Sequence, residues 1–122
     1  MAPRAQIPPP LNIPDSNSTV VVHVINSTAR IQGIPSNFFF EPEIKGFDTL
    51  DPTAFSFLIQ HPASSRKLLW DLGVRKDWHD LAQGIAKAIK DRGWKVTVEK
   101  GVAEILEEGG VKLEDINSII WR

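Results

Sequence analysis

The 122-residue chain has no cysteine, no tyrosine and a single methionine. Without cysteine there is no disulfide to staple the fold and no thiolate to ligate a metal, which is compatible with a reducing compartment. An excess of either charge is also missing. Fourteen Lys and Arg stand against fifteen Asp and Glu, for a net charge of −1. No basic stripe exists, so neither nucleic acid nor an anionic membrane surface is an expected partner. No apolar run approaches the roughly 20 residues of a spanning helix. The opening MAPRAQIPPPLNIP has no continuous apolar segment and is broken by five prolines. A secretion signal is therefore not expected, and the expected location is cytoplasmic. For the same reason the sequons headed by Asn17 and Asn26 are not expected to carry glycan. Glycine-rich phosphate loops and G-x-S-x-G nucleophile elbows are absent as well.

What remains is an ordinary globular composition, 42% hydrophobic and 24% charged, long enough for one domain with its own core. Residues 1–18 are rich in Pro, Asn and Ser and read as a disordered tail. The β-branched run 19–28 predicts a strand. Residues 31–53, punctuated by Gly33, Pro35, Pro42, Gly46 and Pro52, predict a long loop carrying Phe38, Phe39, Phe40 and Phe47. AFSFLIQHP (54–62) and RKLLWDLG (66–73) predict a hairpin turning at Ser64 and Ser65. Leu81, Ile85 and Ile89 recur every four residues and predict an amphipathic helix over 77–91. Asp77 or Asp80 would cap it, and Gly93 would close it. KVTVE (95–99) predicts a short strand, 102–110 a second helix ended by glycine, and SIIW (118–121) a last strand. The order strand, loop, hairpin, helix, strand, helix, strand specifies an α/β fold.

Chemistry-bearing residues are scattered. His23, His61 and His79 offer no close pair of the kind that fixes metal geometry, so no metal site is expected from them. Adjacent His79 and Asp80 would not face the same way on a helix. Glu107–Glu108 and Glu114–Asp115 read as solvated surface, and Ser64 and Ser65 have no evident base. The informative stretch is LLWDLGVR (68–75). It places Asp71 at the carboxyl end of an apolar strand, with Gly73 free to turn the backbone. Such an acid either orients a neighbouring site or caps a turn.

Together with GWKVTVEKGVAEILEEGGVKLEDINSIIW, this stretch resembles the amino-terminal part of the metallo-β-lactamase-fold hydrolases, in their lactonase-like, fungal-type branch. The resemblance covers residues 19–121. It implies the amino-terminal half of an αββα sandwich, a mixed sheet with helices on its outer face. It implies that Asp71 and Gly73 form the family's first motif, in which the aspartate buttresses the metal-binding loop. Intact relatives hydrolyse lactone, ester or thioester bonds with zinc, which activates a bound water. In that setting the Phe38–Phe47 loop would line the substrate mouth, or else plug the open end of the sheet.

The family's His-x-His-x-Asp-His ligand cluster follows a strand like SIIW, and here Arg122 follows instead. The expectation is a partial domain over 19–122 without its metal ligands: a truncated, catalytically silent member with no zinc of its own and no assignable substrate. The departure at Arg122 favours a change of reading frame as the cause. The alternative is an interaction or small-molecule-binding module that uses the exposed sheet face. In either case the face left bare by the missing second sheet is expected to drive self-association or loose packing.

Overall fold

A computed structural model describes residues 7–121. Arg122 and the first third of the expected tail lie outside the described residues. Residues 7–20 carry no helix or strand and are exposed throughout.

The chain forms a five-stranded sheet in the order β6-β1-β4-β5-β7. Its strands are β1 (Val21–Gln32), β4 (Thr53–His61), β5 (Arg66–Trp70), β6 (Lys95–Thr97) and β7 (Ser118–Ile120). β1 pairs antiparallel with β4 and β6, β4 antiparallel with β5, and β7 parallel with β5. Two helices follow the hairpin, α1 (Gln83–Asp91) and α2 (Val102–Glu108). This is a mixed α/β layout with a curled sheet, as expected of part of a metallo-β-lactamase-like fold.

The hairpin forms as the sequence predicts. Pro62 opens a single 3₁₀ turn through Ser64, and Ser65 supplies the left-handed residue (φ 54°) that reverses the chain. Gly93 also behaves as expected. It takes φ +69°, and the N–H of Trp94 donates to Ile89 C=O at 3.2 Å, the long bond of a Schellman motif.

Three expectations need correction. β1 does not stop at Thr28 but continues to Gln32 across a register break between Asn26 and Arg30. Thr28 takes φ 58°, and its hydroxyl accepts from the N–H groups of Glu99 and Lys100 at 3.1 and 2.9 Å. A β-bulge, rather than a strand end, absorbs the polar Asn-Ser-Thr. The 31–53 loop is correspondingly narrower. Its base is clamped by β2 (Ile34–Pro35) against β3 (Thr49–Leu50).

The first helix begins at Gln83, not Asp77. Trp78–Asp80 form a separate 3₁₀ turn, Leu81 is extended, and neither Asp77 nor Asp80 caps α1. The Asp77 carboxylate instead pairs with the Arg75 guanidinium. The core is also one-sided. Ile25, Leu58 and Leu69 pack against Val102 and Leu106 of α2, with Ile105, Val111 and Ile116 around them. α2 supplies the helical members of this cluster, while α1 buries Ala86 outside it.

Strand alternation sorts the sheet into two faces. One face, bearing Ile25, Ser56, Leu58 and Leu69, meets α2. The other carries two complete cross-strand rows, Val24–Phe57–Trp70–Ile120 and Val22–Ile59–Leu68–Ser118. No described residue of this second face is fully buried. Val24 is 65% exposed and Trp70 42%. Of the continuous apolar runs Leu68–Trp70 and Ile119–Trp121, only Leu69 is buried, while Trp70, Ile119, Ile120 and Trp121 are exposed.

Candidate functional site

Asp71 ends β5 abruptly. Its φ is +63°, a left-handed conformation that Asp tolerates better than most residues. Its N–H still donates to Ile120 C=O at 2.8 Å, the last rung to β7. Its Oδ1 accepts from the N–H of Gly73 at 2.9 Å, closing an Asx-type turn. Gly73 also takes φ +63°, and a Cβ built there would lie 2.8 Å from Ser27 Cβ and 3.4 Å from Val102 Cγ2. Glycine is thus required twice, by its backbone angle and by the close approach of β1. Ser27 is buried beneath the turn, its hydroxyl donating to Ala54 C=O at 2.6 Å.

Beside the turn lies an open cavity of about 460 Å³ between the β5–β7 edge and α2, with Leu72, Val74, Leu106 and Ile119 in its wall. Its rim carries ion pairs. Glu104 accepts from the Gly101 N–H at 2.7 Å and from Lys76 Nζ at 3.1 Å, tying α2 to the loop that leaves the turn. The Gly101 amide first, and then the Lys76 ammonium, hold the Glu104 carboxyl below the usual carboxylate range. Asp77 is lowered mainly by its hydrogen bond from Arg75, and Asp115 by Lys67, whose Nζ lies 2.9 Å away.

The phenylalanine loop is built separately. Phe38, Phe39, Phe40 and Phe47 are all exposed. Phe38 meets Phe39 and Trp94 edge to face at 5.0 and 5.4 Å, and Arg92 lies over Phe38 and Trp94 at 5.3 and 5.1 Å. The cavity beside Asp71 takes none of its lining from these four residues.

Nor are the histidines assembled. His23 borders a second cavity against α2, His61 Nδ1 sits 2.7 Å from Ser64 Oγ, and the His79 ring lies tilted against Trp78 with centroids 4.6 Å apart. Among the described residues no three His, Cys, Asp or Glu side chains come together as metal ligands. Sequence reasoning located Asp71 and Gly73 but missed Ser27 beneath them and Glu104 at the cavity rim. Ser27 carries no local signal in the run 19–28, since its hydroxyl bond to Ala54 C=O is made across the sheet.

The chain is similar to several fungal proteins. It is 40% identical over 120 residues to "Gamma-lactamase FDB1" of Fusarium pseudograminearum, covering 95% of this chain and 29% of that protein. It is 38% identical over 118 residues to "Metallo-hydrolase mfmC" of Annulohypoxylon moriforme, covering 93% of this chain and 30% of that one. It is also 34% identical over 122 residues to "Cytochrome P450 monooxygenase mpaDE'" of Penicillium brevicompactum, 97% of this chain but 14% of the relative. A chain without cysteine cannot supply the thiolate that holds a P450 haem, so the monooxygenase name does not describe the shared segment. No family model matches the chain. No solved structure matches it. The chain spans less than a third of the length of these curated relatives. By sequence it is similar to fungal proteins that carry the names of a γ-lactamase and a metallo-hydrolase, and its mixed sheet with two helices is consistent with part of a metallo-β-lactamase-like fold.

Proposed function

We propose that this chain is the sheet-and-turn portion of a hydrolase fold acting on lactam or lactone rings, and that alone it performs no hydrolysis. The observation that carries this reading is the Asp71 turn. Asp71 is locked by the Gly73 N–H on one side and by Ile120 C=O on the other. β5 and β7 run parallel, so both deliver their carboxyl ends to this point. In α/β sheets that is the edge where ligands collect. A polypeptide continuing past β7 would pass beside the Asp71 carboxylate, which could then orient it. The names of the lactamase and metallo-hydrolase relatives support the reaction class.

The chain's own donors do not fit a zinc site. There is no thiolate, the three histidines sit in separate places, and no triad of ligands forms among the described residues. No catalytic step is therefore derived through a metal, and the role assigned to Asp71 and Gly73 is architectural.

Metal analysis and hydrolase assays test this together. Purified chain, incubated with zinc and dialysed, should retain less than stoichiometric metal. It should leave γ-lactams and lactones uncleaved above background. Stoichiometric zinc, or turnover that disappears in Asp71→Ala, would overturn the reading.

A further inference from the structure

We infer that Thr28 is a positioning residue for the Asp71 turn, acting through its hydroxyl on the segment that leads into α2. The inference rests on the architectural role proposed above for Asp71 and Gly73.

Gly73 is the point of contact. It closes the turn by donating its N–H to Asp71 Oδ1, and it sits between two buried walls, Ser27 of β1 and Val102 of α2. A Cβ built on it would lie 2.8 Å from Ser27 Cβ and 3.4 Å from Val102 Cγ2. With so little clearance, the spacing of those two walls decides where Gly73, and with it the Asp71 carboxylate, can lie. Thr28 fixes that spacing. It follows Ser27 directly, and its Oγ1 accepts from the N–H groups of Glu99 and Lys100 at 3.1 and 2.9 Å while donating to Lys100 C=O at 3.2 Å. Lys100 stands two residues before Val102. One hydroxyl thus ties the segment that carries the first wall to the segment that carries the second. Glu104 extends the tie, since it accepts from the Gly101 N–H and from Lys76 Nζ and so holds the chain leaving Gly73 to the same helix end. All of these contacts are made among residues 27–104.

The backbone singles out the hydroxyl as the reason for threonine. Thr28 takes φ 58°, where a β-branched residue is an outlier and glycine or asparagine sits at less cost. Strain of this kind persists only where the surroundings over-determine it. The bulge itself does not call for threonine. Its local bond runs from the Thr28 N–H to Asn26 Oδ1 at 3.0 Å, and any residue but proline brings that N–H. Glycine cannot bring an oxygen that takes two amide hydrogens and returns its own to a carbonyl.

Amide hydrogen exchange on the full chain, without metal or substrate, tests the assignment. Thr28→Gly removes the hydroxyl and relieves the backbone strain. The Gly73 N–H should then exchange at least ~10-fold faster, the scale of losing one or two supporting hydrogen bonds, while Leu58 and Leu69 in the hairpin change less than ~2-fold. Thr28→Val, which keeps the volume but not the oxygen, should behave in the same way. Thr28→Ser, which keeps the oxygen, should hold Gly73 within ~3-fold of the original chain. A contribution to overall stability alone would speed all of these amides together. Unchanged Gly73 exchange in both variants that lack the oxygen would overturn the inference. So would a Gly73 amide already unprotected in the original chain, or Gly73 and hairpin amides that accelerate in step, loss of folding included. Zinc retention or turnover by the chain would instead defeat the hydrolase reading and leave the exchange result standing.

Discussion

The two faces of the one sheet are built from the same strands and nearly the same residue types, yet they are in opposite situations. On one face Leu58 and Leu69 are under 5% exposed beneath α2. On the other, Phe55 and Trp70 of the same two strands are more than 40% exposed, and Phe57, Ile59 and Leu68 are half-buried. The difference lies in where the cover is encoded. For the first face it is a helix 30 to 40 residues downstream of β5 in the same chain. For the second, no described residue supplies it. Apolar composition therefore records that a face is meant to be covered, but not by what.

Substitutions can break this comparison. The largest effect is expected from truncation on the covered face. Leu58→Ala should cost ~2–5 kcal/mol, as core leucine truncations do, a large share of the 5–15 kcal/mol that holds a typical domain. Val22→Thr on the bare face should change the folding of the monomer by under ~0.5 kcal/mol. Urea unfolding of both variants at a concentration below self-association checks this. Equal losses would mean that the bare face is covered within the monomer.

Next comes Gly73→Ala, expected to cost about 1–3 kcal/mol through the left-handed backbone and the collision with Ser27. Ser27→Gly in the same chain should recover the collision part but not the backbone part, a coupling measurable by a double-mutant cycle. Simple additivity would place the two residues out of contact. Asp71→Ala is expected to be milder, losing one Asx-type hydrogen bond and leaving a non-glycine residue at positive φ, about 1–2 kcal/mol. Asp71→Asn, which keeps the acceptor, should be nearly silent in thermal melts.

The smallest effect is electrostatic. Asp77, Glu104 and Asp115 are all held below the usual carboxylate range in the folded chain. Because their folded values lie below their unfolded ones, the stability they add is fully present above the ordinary carboxylate value of about 4. It is lost as pH falls through the depressed values. All three are solvent-exposed, so salt should screen the effect. Melts at pH 7 and pH 3, with and without added salt, should show a modest loss at acid pH that shrinks as salt is raised.

Much of the fold was legible in the sequence because it is locally encoded. Alternation and Pro62 specify the hairpin, Gly93 closes α1, and the apolar run before Asp71 fixes the strand end. The rest depends on distant partners. The bulge at Thr28 is invisible locally because its hydroxyl is satisfied by Glu99 and Lys100. Asp77 is a plausible cap until Arg75 claims its carboxylate. At the site, Asp71 and Gly73 are readable from spacing. The buried Ser27 that forbids a side chain at residue 73 is not, since only the pairing of β1 with β4 carries it there.

The clasp at Thr28 also sets an order of assembly. It joins residues 72 apart in the chain, and the neighbouring rungs from β1 to β6 close a loop of similar length. The hairpin of β4 and β5, by contrast, needs only its short turn at Pro62–Ser64. Because closing a long loop costs entropy before any contact repays it, the hairpin nucleates and the Arg30–Gln32 end of β1 is secured late. That end is correspondingly the first to open, so one strand carries both the early-forming centre of the sheet and its last-fastened margin.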